Sequence, residues 1–295
     1  MNADERRWFV RLVAAVVVSC ASAAAWAATP VPGGKWSWVW KDPRGYSDRP
    51  IRVYTYRPRD CDSTCPIVMV LHGRKRDASA YRDYWELVAD HYKVLVIAPE
   101  FAKEYWPRAA DYNQGGVGQE QDRNKWVFAT IEHLFDEMRV DQKSYVLFGH
   151  GAGAQVAQRM ALLWPENRAS AIVVANPGWY TMPEFRKDKA ADSFPYSVAG
   201  SPSGEVDVRK ALSRRLVLMV GENDDDPDDE NLAESSGAKK QGETRTDRGE
   251  NFFKNATTLA GELGVKLAWE LDELPDNVRG GEKVSKAAGD AVLKK

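Results

Sequence analysis

The sequence predicts a single α/β domain: a mostly parallel, eight-stranded sheet with helices on both faces and a small cap-like insertion. Three observations predict it. Eight short apolar or alternating runs recur along the chain, and several are continuously hydrophobic, as strands covered on both faces are. Segments with apolar residues at helical spacing lie between them, the alternation that builds parallel sheets. The 295 residues are 43% hydrophobic, with 11 Trp, 11 Tyr and 9 Phe, enough apolar surface for one large core.

The elements follow in order. Residues 1–27 read as a signal peptide: Arg6, Arg7 and Arg11 precede an apolar run from Leu12 to Val18, and Ala25-Trp26-Ala27 offers a small-x-small cleavage signal. Export to the periplasm or beyond is therefore expected. Arg6-Arg7-Trp8-Phe9-Val10-Arg11 is twin-arginine-like, with Glu5 where Ser or Thr is usual. Val17-Val18-Ser19-Cys20 fits a lipobox, so a lipoprotein anchored at Cys20 stands as the alternative to free secretion. No transmembrane helix is expected in the mature chain, since the apolar stretch is alanine-rich and runs into Pro30, Pro32, Gly33 and Gly34. The mature chain, 28–295, is read as one domain with a charge of about −3, a balance that gives no field to recruit nucleic acid. In an oxidising compartment Cys61 and Cys65 are expected to form a local disulfide, because no second ligand pair follows to make a zinc site. No metal and no cofactor is implied.

Alternation marks strands at Lys35–Trp40 and Ile51–Arg57, and apolar runs mark them at Ile67–Leu71, Val94–Ala98, Tyr145–Phe148, Ala171–Ala175, Leu216–Val220 and Val265–Leu271. Helical spacing is read over Ala78–His91, Asn124–Met138, Ala154–Trp164, Phe252–Leu263 and Glu282–Leu293. Glu100–Gln121 is a long loop whose Gly115-Gly116-Val117-Gly118 lacks the lysine and helix start of a phosphate cradle, so it reads as flexible. Residues 182–212, rich in Pro, Ser, Gly and charge, are the cap-like insertion, and 222–250 an acidic, mobile loop.

The most informative stretch is Gly149-His150-Gly151-Ala152-Gly153, between a strand and a helix. It has the frame of a nucleophile elbow, G-x-S-x-G, in which small residues let a strained turn present a serine above the sheet. Gly151 stands where the serine would be. A serine hydrolase also needs an acid after a later strand and a histidine after the last one. Asp224, three residues past Gly221, suits the acid, although Asp225, Asp226, Asp228, Asp229 and Glu230 around it equally suit a solvated acidic loop. The histidine is missing: the chain has only His72, His91, His133 and His150. His91 and His133 fall on helices, where packing or surface roles are the default. His72-Gly73-Arg74 ends a central strand where such folds build half of an oxyanion hole from backbone N–H groups, and the N–H of Ala152 would be its counterpart.

Together, Val70-Leu71-His72-Gly73-Arg74 with Arg76-Asp77, Ile97-Ala98-Pro99-Glu100-Phe101, the elbow with Ala154-Gln155, Asn176-Pro177-Gly178-Trp179-Tyr180-Thr181-Met182-Pro183 and Gly221-Glu222-Asn223-Asp224 resemble the α/β-hydrolase superfamily. Within it they look like exported poly(3-hydroxybutyrate) depolymerase-like and esterase-like proteins. The resemblance implies the α/β-hydrolase fold and a serine-hydrolase triad at Gly151, Asp224 and Pro275, the last aligned with the expected histidine turn in Leu274-Pro275-Asp276-Asn277. Two of those three positions are vacated. The expectation is an exported hydrolase-fold protein that is catalytically inactive and retains a ligand pocket at His72, Gly73, Arg74, His150, Ala152 and Trp179. Its ligand would be a small ester or carboxylate. The alternative is an active ester hydrolase whose groups have moved, with His150 or His72 as base.

Overall fold

The computed structural model describes residues 31–138, 141–222, 232–275 and 280–294. The signal peptide, the twin-arginine-like and lipobox patterns, Asp224 and the acidic run beside it lie outside those residues. Eight strands form one sheet in the order β1-β2-β4-β3-β5-β6-β7-β8. They are β1 (Gly34–Trp40), β2 (Ile51–Arg57), β3 (Ile67–Leu71), β4 (Leu95–Glu100), β5 (Tyr145–His150), β6 (Ala169–Ala175), β7 (Leu216–Gly221) and β8 (Trp269–Leu274). The pairs β1·β2 and β2·β4 are antiparallel and the others parallel, which is the α/β-hydrolase arrangement expected.

The five central strands, β3 to β7, are buried on both faces, and their side chains alternate between two cores. Tyr145 and Leu147 of β5 enter one with α3 (Val127–Met138), α4 (Ala152–Leu163), α5 (Glu205–Leu212) and α7 (Arg245–Leu263). Val146 and Phe148 enter the other with α1 (Ala78–Tyr84), α2 (Glu86–Tyr92) and α8 (Gly281–Leu293). Helix α4 is buried along its entire length, because it lies between the sheet and its neighbours. Cys61 and Cys65 are joined as a disulfide, with Cα atoms 5.6 Å apart, tying the turn that precedes β3. Among the described residues no helix is long and apolar enough to cross a membrane.

Local structure differs from the sequence reading in five places. The helix expected over 78–91 breaks at Trp85, which closes α1 and opens α2. The last strand begins at Trp269 rather than Val265: Gly264, at φ 64°, caps α7, and Val265 N–H donates to Ala260 O before the chain joins β7. The polar stretch expected to be mobile up to 250 is folded from 232 on. There α6 (Ser236–Lys239) precedes α7, whose start is fixed by a reciprocal capping box between Thr244 and Asp247. The loop after β4 is packed, not flexible, with Trp106, Tyr112 and Val117 buried, and a Cβ on Gly115 would meet the Phe128 ring at 2.4 Å. Finally, the part of the 182–212 segment from Glu205 on is α5, a helix of the layer against the sheet; the rest is irregular, closed by a bridge between Met182 and Ser197.

Candidate functional site

At the carboxyl ends of the parallel strands lies an open cleft of about 600 Å³, the place where open α/β sheets bind ligands. The segment after β3 supplies Gly73, Arg74, Lys75 and Asp77, and α1 supplies Tyr81 and Tyr84. The turn after β5 supplies His150, Gly151, Ala152 and Gln155. Asn176 and Gly178 come from the turn after β6, Arg245 from the start of α7, Gly280 and Gly281 from the start of α8, and Asn113 from the loop after β4. None of these residues belongs to the 182–212 segment, which lines a separate groove of about 390 Å³ with α6 and α7.

The floor of the cleft is the β5–α4 turn, and its three glycines do different things. A Cβ on Gly149 would lie 2.2 Å from Gly153 O, and one on Gly153 would lie 2.3 Å from Leu71 O. Both contacts are with backbone, which cannot yield, so these two glycines are required for α4 to sit this close to β3 and β5. Gly151 is at φ 57°, ψ −111°, and a Cβ there would meet nothing within 4 Å. It occupies the strained backbone position of an elbow nucleophile, and the space for the side chain is open. Its N–H is taken by Ala175 O at 3.0 Å. Ala152 is the first residue of α4, where N–H groups have no partner within the helix, and it lines the cleft.

The two histidines at the cleft expected as relocated bases are both committed elsewhere. His72 is completely buried: its Nε2 accepts from Phe101 N–H at 2.9 Å, so its Nδ1 carries the proton and donates to Gly73 O at 3.1 Å. Burial pushes its pKa down to about 3. His72 therefore stands behind the cleft and locks the loop after β4 onto β3, helped by Tyr112, whose hydroxyl donates to His72 O at 2.8 Å. His150 does line the cleft, but its Nδ1 meets the Tyr81 hydroxyl at 2.8 Å. Burial pushes the His150 pKa down to about 4, so the ring is neutral near pH 7. Tyr81 itself is no nucleophile, since burial holds its hydroxyl far above the usual range.

The other expected positions divide. Gly73, Arg74, His150 and Ala152 come together at the cleft with Gly151. Trp179 does not line it; its ring covers the Arg159 guanidinium at 4.2 Å and packs on Tyr196. Pro275 is exposed directly after β8, and the chain returns at the cleft with Gly280 and Gly281. Asp224 lies outside the described residues.

Several cleft residues escape sequence reasoning. Asn113 arrives from a loop that looked flexible, and Tyr81 and Tyr84 from a helix that looked like plain core. Gln155 and Arg159 carried a usable signal: two polar residues four apart on one face of an otherwise apolar helix. Arg159 Nη1 donates to Gln155 Oε1 at 3.3 Å and to the carbonyls of Asn113 and Gln155, each at 3.0 Å.

Comparison with known proteins agrees with this geometry. The chain is similar to poly(aspartic acid) hydrolase-1 from Sphingomonas sp. KT-1, with 32% identity and a TM-score of 0.84 over 90% of this chain and 100% of that one. It is also similar to LpqC, a poly(3-hydroxybutyrate) depolymerase from Bordetella parapertussis, with 28% identity and a TM-score of 0.81 over 88% of this chain and 89% of that one. A siderophore hydrolase from Aspergillus nidulans, EstA, shares the fold at 17% identity and a TM-score of 0.53, over 91% of this chain and 98% of that one. No protein-family model and no curated protein matches the chain. With a relative above 30% identity matched over its whole length, and an eight-stranded sheet and elbow in the family's order, the chain belongs to the α/β-hydrolase superfamily, in its poly(3-hydroxybutyrate) depolymerase-like branch.

Proposed function

We propose that this protein is a catalytically inactive member of that branch which binds an ester- or carboxylate-bearing small molecule in the cleft over the β5–α4 turn. The observation that carries the reading is Gly151, a residue in nucleophile geometry with open space where a side chain would project. The absence of any histidine after position 150 supports it, since an elbow nucleophile would find no base in the usual chain order. His72 does not replace that base, because its acceptor nitrogen is engaged by Phe101 N–H, and the Nδ1 of His150 is held by the Tyr81 hydroxyl. What persists is backbone: the N–H groups at the start of α4 and the turn after β3, which survive loss of catalytic side chains. The similar structures belong to hydrolases of poly(aspartic acid) and poly(3-hydroxybutyrate), both polymers of carboxylic-acid units, so oligomers of 3-hydroxybutyrate are the natural first probes.

Export is part of the same proposal. The signal-peptide pattern in residues 1–27 motivates it, and the Cys61–Cys65 disulfide supports it, since disulfides persist in oxidising compartments. Cell fractionation with an antibody to the mature chain tests this part: signal confined to the cytoplasm defeats it.

The test of the main reading is an esterase assay on purified protein with short-chain p-nitrophenyl esters and 3-hydroxybutyrate oligomers. The expected result is no turnover beyond about 10³-fold over water, the residue that binding and oxyanion stabilisation alone can leave. Robust turnover that tracks this protein through purification would overturn it.

A further inference from the structure

Arg159 is fully buried in the middle of α4, and among the described residues no carboxylate pairs with it. All of its hydrogen bonds leave from Nη1; its Nε and Nη2 are buried without partners, and the Trp179 ring covers one face. An isolated charge in a core is costly, and burial pulls this guanidinium down to a pKa of about 9, which still leaves it charged at neutral pH. What it holds is Gln155. Because a guanidinium only donates, the amide oxygen of Gln155 must face it and the amide nitrogen must face away.

Away from Arg159 is the cleft. Gln155 is 6% exposed, lines that space beside Gly178, and its Nε2 has no partner within the described protein. It lies three residues beyond Ala152, on the same face of α4 as the unpaired N–H groups at the helix start. We propose that Gln155, oriented by Arg159, is the residue that selects the ligand of this cleft, and that the group it takes is a carboxylate. The inference rests on the binding reading above and narrows it. Two neutral donors, the positive end of a helix and a buried guanidinium one bond behind Gln155 all favour an anionic oxygen over an ester carbonyl. Arg74, Lys75, Asp77 and Arg245 line the same cleft. Arg159 is a positioning residue: it touches no ligand and acts by fixing the amide.

The experiment is isothermal titration of the purified mature protein with the 3-hydroxybutyrate trimer, as free acid and as methyl ester, at pH 7, with Gln155→Glu and Gln155→Met alongside. Gln155→Glu puts a carboxylate against Arg159, so it completes the buried pair while removing the donor. The free acid is expected to bind wild type at least about tenfold more tightly than the ester. Gln155→Glu is expected to lose at least about tenfold of that affinity with a melting temperature no lower than wild type, and Gln155→Met to lose acid preference without reversing charge. If acid and ester bind wild type alike, or the variants bind the acid as wild type does, this inference falls and the binding reading stands. If neither form binds wild type, both fall.

Discussion

The outer glycines of the β5–α4 turn and the glycine at its centre look alike in sequence and are held in place by different forces. Gly149 and Gly153 are fixed by backbone atoms 2.2 and 2.3 Å from where a Cβ would stand, so packing of α4 on the sheet forbids any other residue. Gly151 has no neighbour to exclude a side chain; only its positive φ disfavours one. The frame of the elbow is thus a requirement of the fold, whereas the side chain it presents is a matter of function. The first can therefore persist whatever residue holds the second, and here that residue is Gly151.

Breaking the frame should have the largest effect. Gly149→Ala or Gly153→Ala forces a methyl against backbone, and the cost is expected at about 3 kcal/mol or more, enough to drive the protein toward aggregation or to drop its melting temperature by roughly ten degrees. A normal melting curve for either variant would mean the turn can yield. Next comes acid. His72 and His150 have folded pKa values depressed to about 3 and about 4 by burial, from an unfolded value of 6.5. The unfolded chain therefore takes up their protons first as pH falls. The stability this represents is whole above pH 6.5 and is lost progressively down through the folded values, several kcal/mol in total at about 1.4 kcal/mol per unit. Denaturant midpoints should fall between pH 6.5 and 4.5, before most carboxylates titrate, and His150→Asn should flatten part of that slope. A flat profile would show that both rings are accessible and free to charge.

The smallest effect is expected at the centre. Gly151→Ala places a Cβ in open space at the cost of the strained backbone alone, about 1–3 kcal/mol. Its melting temperature should fall by several degrees, well short of either outer variant, with secondary structure unchanged by circular dichroism. A loss equal to that of Gly153→Ala would erase the distinction between frame and seat.

The same contrast explains how much of the molecule could be read from its sequence. The eight strands and the elbow frame were legible because each rests on a local rule: continuous apolar runs for buried strands, and glycine wherever two backbones touch. The missing histidine was legible because it is a matter of counting. The role of His72 was not, because nothing in His72-Gly73-Arg74 says that Phe101 N–H will arrive at its ring from 29 residues away. Trp179 was expected in the pocket from its place after β6, but the buried Arg159 draws it aside. The composition of the 182–212 segment marked an insertion, yet it did not show that the part from Glu205 on is the helix α5. Asn113 and Arg245 likewise reach the cleft only through tertiary packing.

If the elbow frame is whole and only the side chains of the proton relay are missing, restoring those side chains should restore hydrolysis. The most direct test is the esterase activity of Gly151→Ser, Pro275→His and the double variant, measured beside wild type on the same p-nitrophenyl esters. The double variant is expected to turn over ester that neither single change hydrolyses. Hydrolysis by Gly151→Ser alone would contradict it, since another base would then already be in place at the cleft.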